Sequence, residues 1–296
     1  MKRSNMNVLG VCDGISVGQL TLSNLNVDVD KYYASEIHSP AIKVTQKNFP
    51  NTIQLGDVRN ILSLPDKIDL LLGGTPCQDL SQYKSSTGNR TGLQGDKSSL
   101  FFEYVRLLNT LKPKYFLLEN VVMNQEDERI ITEALGVEPI KINSSLVCAA
   151  ERKRLYWTNI KGVTQPEDLN ILIKDIILPA ESVEDKYWYR DVDFTYNGDD
   201  CKVQATLNKK LQDRMKEVYN INGKCNTLTC DGDGGHRQKK VFQNGTPRKF
   251  TPLEYERLQT LPDNYTQGIS DSNRYSVIGN GWTEKVIRHI LSFMDI

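Results

Sequence analysis

The sequence predicts an α/β fold whose sheet is mostly parallel. Over residues 1–160, short apolar runs alternate with longer amphipathic stretches, which is typical of successive strand–helix–strand units. Several apolar runs end in glycines, carboxylates or a cysteine, and α/β sheets bind ligands at the carboxyl ends of their strands. Beyond residue 162 the alternation is lost, and a separate, small, loop-rich region is expected there.

The predicted elements follow one another in a regular order. The strands are Asn7–Val11, Lys31–Ile37, Ile53–Gly56, Ile68–Leu72, Tyr115–Leu118 and one or two more around Leu155–Ile160. The helices are a stretch that ends at Leu25, followed by Ser39–Asn48, Leu100–Leu111, Glu128–Leu135, Pro252–Leu261 and Thr283–Phe293. Because the regular pattern returns near the C-terminus, we expect residues 1–162 and 268–296 to form one domain and residues 163–267 a second.

Composition excludes several classes of protein. With 39% hydrophobic and 25% charged residues, the chain has the composition of a soluble globular protein and not of a disordered one. No apolar run approaches the roughly 20 residues that span a bilayer, so no membrane partner is expected. The apolar stretch after the basic N-terminus is too short for a signal peptide, which predicts a cytoplasmic or nuclear protein. Six cysteines without a CxxC pair and three dispersed histidines predict no metal site.

Charge is unevenly distributed although the net charge is zero. Residues 161–200 hold four Lys or Arg against ten Asp or Glu, whereas residues 201–247 hold nine against four. The second stretch is therefore the one place where the sequence suggests a surface that faces phosphates. A solvated basic face explains the same pattern equally well.

The turn after the first strand is rich in glycine and leads into a helix. It runs from Gly10 to Gly18, and such turns let a cofactor approach the backbone and a helix N-terminus. Glu36 follows at the spacing where a carboxylate binds a ribose diol, and Asp57 ends the third strand, placed to accept from an adenine amino group. Each feature alone fits a tight turn or a solvated strand end, but together they favour a nucleoside pocket.

A cysteine follows the fourth predicted strand in the segment GGTPCQDLS, residues 73–81. A lone cysteine is usually a small buried side chain or a bystander. Cys77, however, comes directly after a proline in a turn at the carboxyl end of a strand, where α/β sheets place ligands. The polar, glycine-bearing residues that follow, through Asp96, are typical of a loop, so Cys77 is the candidate nucleophile.

Two further segments contain candidate catalytic side chains. Glu119 ends the apolar run FLLE, where a carboxyl group is poorly solvated and suited to proton transfer. Arg152 and Arg154 are two residues apart in ERKRLYW, so on a strand both would face the same side. Such an arginine pair by itself is more often a surface feature.

These segments occur in an order that resembles a known family. GTPCQDLS, LLENV, ERKRLYW, RKFTPLEYERLQTLPDNY and IGNGWTEKVIRHI are similar, in this order, to the motifs of DNA cytosine-5 methyltransferases. In VCDGISVG, YYASEI, GDVRNI, SLFFEYVRLL and Ala150 before the two arginines, the chain resembles the catalytic domain of the mammalian de novo type. The resemblance covers nearly the whole chain except about residues 163–222, and several motifs in register are more specific than any one.

The resemblance implies a Rossmann-like sheet that binds S-adenosylmethionine, joined to a small, loop-rich target-recognition domain. It implies methyl transfer to carbon 5 of cytosine in DNA, with the base flipped out of the duplex. Cys77 would attack carbon 6, and Glu119 would contact ring nitrogen 3 and the exocyclic amine. Arg154 would hold the carbonyl oxygen, and Arg152 would support the catalytic loop and its charge.

The same resemblance implies which residues contact the cofactor. Glu36 would bind the ribose and Asp57 the adenine, whereas Leu100 and Asn280 would line the methionine end. The complete predicted set is Cys12, Gly14, Glu36, Ile37, Asp57, Val58, Pro76, Leu100 and Asn280. Cys12 stands where the family usually has a phenylalanine against the cofactor, which predicts altered packing of the adenosine.

Double-stranded DNA is the implied partner, and the chain is expected to be a monomer or a homodimer. The candidate DNA contacts are Ser81, Lys209, Lys210, Arg237, Lys239 and Lys240, with Arg214 as a further one. Two alternatives remain open: an enzyme that methylates cytosine in tRNA, as one branch of this fold does, and a catalytically silent homologue that binds nucleic acid. The de novo-like details weigh against the first, and the presence of Cys77, Glu119 and Arg154 weighs against the second.

Overall fold

The computed structural model describes residues 5–76, 100–229 and 237–295. The chain divides into two compact units. The first unit takes the chain up to residue 143, then residues 153–165 and everything from residue 284 onward. The second unit takes residues 144–152 and 166–283. The sequence predicted that residues 163–267 form a separate target-recognition domain. That assignment stays a prediction.

A seven-stranded sheet forms the centre of the first unit, in the order β3-β2-β1-β4-β5-β7-β6. Its strands are β1 Met6–Val11, β2 Val29–Ser35, β3 Ile53–Gln54, β4 Leu70–Gly73, β5 Tyr115–Val121, β6 Ile140–Asn143 and β7 Lys153–Thr158. Strands β1 to β5 are parallel, and β7 runs antiparallel to both of its neighbours. The predicted α/β fold with a mostly parallel sheet is therefore confirmed, and β7 is the strand that departs from it.

The helices of the first unit are α1 Val17–Asn24, α2 Ser39–Asn48, α3 Leu100–Leu111, α4 Gln125–Leu135 and α8 Glu284–Leu291. Both α2 and α3 have the bounds predicted from their patterns. Helix α4 begins three residues earlier than predicted, because the Asn124 side chain accepts from the N–H of Asp127 at 2.8 Å and caps the helix. None of the helices in the described residues is long and apolar enough to span a bilayer.

The core of the first unit lies on both faces of its sheet. Val8, Leu9 and Leu70 are all 0% exposed. Because successive residues of a strand point to opposite faces, burial of both Val8 and Leu9 means that both faces of β1 are covered. At Gly73, the last residue of β4, an added Cβ would lie 2.5 Å from the Tyr104 ring. Helix α3 therefore packs directly against the end of β4.

A five-stranded sheet forms the centre of the second unit, in the order β12-β11-β10-β9-β8. Its strands are β8 Phe194–Tyr196, β9 Val203–Leu207, β10 Glu217–Tyr219, β11 Lys240–Gln243 and β12 Thr246–Lys249, and its helices are α5 Asp213–Lys216, α6 Pro252–Leu258 and α7 Asp271–Asn280. Strands β10 and β11 are parallel, and the other neighbours are antiparallel. Neither this sheet nor α7 was predicted from the sequence. Strands of three to five residues are too short to show a clear alternation.

A buried ion pair joins β12 to α6. The side chains of Arg248 and Glu254 are both 0% exposed, and they form two bonds, Nη2 to Oε1 at 2.6 Å and Nη1 to Oε2 at 2.8 Å. Glu254 also accepts from the N–H of Thr251 at 2.7 Å, while the Thr251 hydroxyl accepts from the N–H of Glu254 at 3.2 Å. This reciprocal cap fixes the start of α6 and gives the buried carboxylate the hydrogen bonds that it needs.

Candidate active site

The ends of β4 and β5 lie at the same edge of the sheet as the beginning of β7. Strands β4 and β5 are parallel, and antiparallel β7 begins where β5 ends, with Arg154 paired to Val121. Glu119 precedes Val121 by two residues, so Glu119 and Arg154 are diagonal neighbours on one face of the sheet. Two charged groups that are distant in the sequence are therefore brought together.

An ion pair joins these two residues. Nε of Arg154 lies 2.8 Å from Oε1 of Glu119, and the two side chains are 13% and 10% exposed. The guanidinium also donates from Nη1 to the carbonyl of Lys153 at 2.9 Å. A guanidinium has five N–H donors and a carboxylate about four acceptor positions, so such a pair combines the donors and acceptors that recognise a polar ligand.

The turn that precedes Cys77 is joined to β5 by Asn120. Nδ2 of Asn120 donates to Oγ1 of Thr75 at 3.2 Å and to the Thr75 carbonyl at 3.5 Å. Both side chains are buried, at 1% exposure for Asn120 and 4% for Thr75. Cys77 and Ser81 themselves lie outside the described residues, and the half-buried Pro76 is the last described residue before them.

Arg152 lies one residue before β7 begins, so the strand carries Arg154 alone. The Arg152 side chain is buried, and its Nη1 donates to the carbonyl of Gly279 at 3.1 Å. Arg152 thus holds a backbone carbonyl within the second unit. Its support of the catalytic loop stays a prediction.

The turn after β1 contains several residues in the left-handed backbone region. Cys12, Gly14 and Ser16 have φ values of 52°, 59° and 55°. A Cβ added at Gly14 would meet no atom within 4 Å, so open space adjoins the turn at this residue. A Cβ added at Gly10 would lie 2.1 Å from Oδ1 of Asp13, so that position has no room for a side chain.

The Asp13 carboxylate folds back over Gly10 and is held by two hydroxyl groups. Tyr32 donates to Oδ1 at 2.6 Å, and Ser16 donates to Oδ2. Burial raises the pKa of Asp13 to about 6, with a further rise from the Glu36 carboxylate, while the two hydroxyl hydrogen bonds oppose the rise. Asp13 was not singled out from the sequence, although a carboxylate inside a glycine-rich turn is a signal that could have identified it.

The Glu36 carboxylate lies beside the same turn. Its Oε2 accepts from the N–H of Gly14, and its Oε1 accepts from the N–H groups of Ile37 and His38, all at 2.8 Å. A carboxylate accepts about four hydrogen bonds, so within the described residues an acceptor position remains on Oε2. A ribose hydroxyl can use that position.

The thiol of Cys12 lies among negative charges. Burial raises the pKa of Cys12, and the carboxylates of Glu36, Asp57 and Asp13 raise it further, to about 12. The thiol is therefore protonated at neutral pH and is not a nucleophile. The three carboxylates follow three different strands, so acidic side chains from the ends of β1, β2 and β3 influence one thiol.

Asp57 follows β3 and pairs with Arg59. The backbone N–H of Arg59 donates to Oδ1 at 3.0 Å and its Nη2 donates to Oδ2 at 2.5 Å, and these bonds lower the pKa of Asp57. Three other predicted cofactor contacts differ in exposure. Val58 is buried, Ile37 is 70% exposed, and Leu100, the first residue of α3, is half-buried. An adenine amino group would have to share Asp57 with Arg59 or displace it.

One protein family matches most of the chain. Its description is C-5 cytosine-specific DNA methylase, and the match covers residues 6–135 and 150–294. The chain belongs to this family. The family resemblance predicted from the ordered motifs is therefore confirmed.

Relatives of this methyltransferase include two bacterial enzymes. The type II methyltransferase M.Bsp6I of Bacillus sp. (strain RFL6) is 30% identical over 291 residues, which cover 87% of this chain and 89% of the relative. The type II methyltransferase M.HpaII of Haemophilus parainfluenzae is 25% identical, over 89% of this chain and 82% of the relative.

Solved structures confirm the predicted methyltransferase fold. The Entamoeba histolytica methyltransferase EhMeth superposes with a TM-score of 0.73 and covers 98% of both chains at 17% identity. The S. pombe Dnmt2 methyltransferase has a TM-score of 0.68 and covers 97% of both chains, also at 17% identity. At such low identity these neighbours establish the fold alone.

The family and the fold imply S-adenosylmethionine as the methyl donor. The turn after β1 fits such a ligand, because open space adjoins Gly14 and an acceptor position remains on Glu36. The acidic side chains of Asp13 and Glu36 beside this turn suit a ligand that carries a cationic sulfonium. Within residues 5–76, 100–229 and 237–295, no group of His, Cys, Asp or Glu is arranged to hold a metal ion.

The predicted DNA contacts of this methyltransferase differ in accessibility. Lys209 and Lys210 are exposed, and Arg237 is half-buried. Lys239 and Lys240 are only 9% and 2% exposed, and burial lowers the pKa of Lys239. Nζ of Lys240 donates to two backbone carbonyls at 2.7 and 2.9 Å. In this conformation the Lys240 ammonium is therefore used inside the second unit and is not offered to a phosphate.

Proposed function

We propose that this chain transfers a methyl group to carbon 5 of cytosine in double-stranded DNA, through a covalent adduct between Cys77 and a flipped-out base. The observation that carries the proposal is the Glu119–Arg154 ion pair at the sheet edge where β4 ends. The bond from Asn120 to Thr75 supports it, because it joins the turn that leads to Cys77 to the strand that carries Glu119. Bacterial relatives named type II methyltransferases support DNA as the substrate.

Cys77 is the proposed nucleophile. Its thiolate forms a bond to carbon 6, and the electron pair of the carbon 5–carbon 6 double bond moves to carbon 5. Glu119 holds a proton at ring nitrogen 3, which makes carbon 6 electrophilic, and Arg154 donates to the carbonyl oxygen. A base stacked in a duplex is inaccessible to such an attack, so the cytosine has to leave the stack.

S-adenosylmethionine, when bound, would supply the electrophilic methyl group of its sulfonium, whose S–CH3 bond breaks to leave the neutral thioether S-adenosylhomocysteine. After carbon 5 carries the methyl group, a base removes the carbon 5 proton, the bond from Sγ of Cys77 to carbon 6 breaks, and the ring regains its double bond. Arg152 is proposed to support the catalytic loop during these steps.

The cofactor contacts are proposed on the first strand ends of the sheet. Glu36 binds the ribose through the acceptor position on Oε2, and Asp57 binds the adenine after Arg59 gives way. Leu100 and Asn280 contact the methionine end. The remaining proposed contacts are Cys12, Gly14, Ile37, Val58 and Pro76.

Phosphate contacts are proposed first at the two exposed lysines, Lys209 and Lys210. The Lys209 ammonium lies 5.0 Å from the centroid of the Tyr189 ring, so its position is stabilised while the charge stays accessible. The less accessible Arg237, Lys239 and Lys240, together with Ser81, remain further proposed contacts.

Trapping on duplex DNA that contains 5-fluorocytosine tests the adduct. Fluorine at carbon 5 cannot leave as a proton does, so an enzyme that has attacked carbon 6 stays attached to the DNA after methyl transfer. We expect a complex that survives denaturing electrophoresis with the wild-type chain and none with Cys77→Ser. A wild-type chain that methylates DNA but gives no such complex contradicts the mechanism.

Parallel transfer of tritiated methyl groups to duplex DNA and to tRNA tests the substrate. We expect label in DNA alone. Label in tRNA alone would contradict DNA as the substrate, and the absence of label in both, with folded protein and bound cofactor, would indicate a catalytically silent homologue.

A further inference from the structure

A single buried amide holds the backbone at the end of α7. Gln259, which directly follows α6, is 2% exposed. Its Nε2 donates to the carbonyls of Ile278 at 3.1 Å and Gly281 at 3.2 Å, and its Oε1 accepts from the hydroxyl of Thr283 at 2.6 Å. One side chain therefore bonds to three residues of the segment 278–283.

The bonds use both N–H groups of the amide, each of which meets a carbonyl, and the amide oxygen meets a hydroxyl. The N–H of Gly281 bonds back into α7 at 3.0 Å. Nη1 of the buried Arg152 holds the carbonyl of Gly279 at 3.1 Å. Buried side chains thus fix the backbone on both sides of Asn280, whose own side chain is exposed.

We propose that Gln259 is a positioning residue for the methyl donor: it fixes segment 278–283 so that Asn280 is presented to the methionine end of S-adenosylmethionine. The inference rests on the cofactor role of Asn280 in the proposed function. Gln259 acts through the backbone and makes no contact with the reacting atoms.

This role requires an amide at position 259. A glutamate there would place a carboxylate oxygen against two carbonyl oxygens, which repels the segment. A methionine would fill the same volume but donate to neither carbonyl. The Ile278 carbonyl would keep the N–H of Gly281 at 3.1 Å as a donor, whereas the Gly281 carbonyl would lose its side-chain donor. In either case the segment has more conformations in the free protein, and ordering them on binding costs affinity for the cofactor.

Titration calorimetry of S-adenosylmethionine and S-adenosylhomocysteine into the full chain tests the proposal. We expect Gln259→Met and Gln259→Glu to raise the Kd of both ligands by about tenfold, and Asn280→Ala to raise it by a similar factor. Gln259→Met combined with Asn280→Ala should add little further loss, because both act through one contact. The matched control is Gln204→Met, a buried glutamine on β9 whose Nε2 donates to Oδ1 of Asp199 at 3.0 Å.

A second readout separates positioning from a general loss of stability. Gln259→Met and Gln204→Met should both lower the melting temperature, but only Gln259→Met should accelerate amide hydrogen exchange in segment 278–283. If Gln259→Met does not fold, Thr283→Val removes one of the three bonds and should raise the Kd about twofold to threefold.

The outcomes distinguish the two levels of the proposal. An unchanged Kd in Gln259→Met or Thr283→Val, beside weakened binding in Asn280→Ala, overturns the positioning role alone. An unchanged Kd in Asn280→Ala contradicts the cofactor assignment of that residue. An equal loss of affinity in Gln204→Met and Gln259→Met also overturns the positioning role, because the effect would then be one of stability.

Discussion

Nε of Arg154 on β7 lies 2.8 Å from Oε1 of Glu119 on β5, and both side chains are largely buried. Removing one partner leaves the other charge uncompensated, so we expect Arg154→Met to lower the free energy of unfolding by about 3 kcal/mol. Combining it with Glu119→Gln should restore part of that stability but no activity. Urea denaturation and tritiated methyl transfer measure the two effects, with activity expected to fall at least about 100-fold in each variant. Recovery of activity together with stability in the double variant would mean that the pair is only structural.

The bond from Asn120 to Thr75 predicts a second effect, on adduct formation. Thr75→Val keeps the shape of the side chain but removes the Oγ1 acceptor that lies 3.2 Å from Nδ2 of Asn120. We expect the rate of covalent trapping on 5-fluorocytosine DNA to fall about fivefold, with unchanged DNA affinity. Thr110→Val is the control, since the Thr110 hydroxyl bonds only within α3. Equal trapping rates in Thr75→Val and wild type would refute this link.

Asp13 predicts a pH dependence of stability. Burial raises its pKa from 3.8 to about 6 in the folded protein, so between these values the folded state binds more protons than the unfolded state. Stability attributable to Asp13 is therefore greatest below about pH 4 and is lost as the pH rises through 6, by about 2–3 kcal/mol. The difference in unfolding free energy between wild type and Asp13→Asn, measured at several pH values from 4 to 8, isolates this effect. Equal differences at all of these pH values would contradict the role of Asp13.

The contact of Gly73 with α3 predicts an overpacking effect. An alanine Cβ would lie 2.5 Å from the Tyr104 ring, which is fully buried, so the ring has to move. We expect Gly73→Ala to lower the free energy of unfolding by about 2 kcal/mol. Adding Tyr104→Leu removes the clash, so the double variant should lose less than the sum of the two single variants. The free energies of unfolding are measured by thermal denaturation. If the loss in the double variant equals the sum of the losses in the single variants, the clash is relieved elsewhere.

The exposed lysines predict the salt dependence of DNA binding. If Lys209 and Lys210 each neutralise a phosphate, replacing both with glutamine should reduce the slope of log K against log salt by about 2. Fluorescence anisotropy with duplex DNA at several salt concentrations measures the slope. Lys174→Gln, also exposed in the second unit, should leave it unchanged. A double variant with the wild-type slope would exclude both lysines from the phosphate contacts.

The sequence by itself determined the elements whose pattern is long and local. Helices α2 and α3 have the predicted bounds, because their apolar spacing persists over several turns. It also indicated that Glu36 and Asp57 lie at one edge of the sheet, where the carboxyl ends of parallel strands meet, and both carboxylates raise the pKa of Cys12.

Tertiary structure decided everything that depends on pairing between distant segments. The antiparallel direction of β7 brings Arg154 to Glu119, and no local pattern contains that direction. The short strands of the second sheet are stabilised by their neighbours and not by their own sequence, so their residues resembled a loop. Burial of Lys240 and the three bonds of Gln259 follow from the same cause: a side chain's partners are chosen by the packing of remote elements, which its sequence neighbours do not reveal.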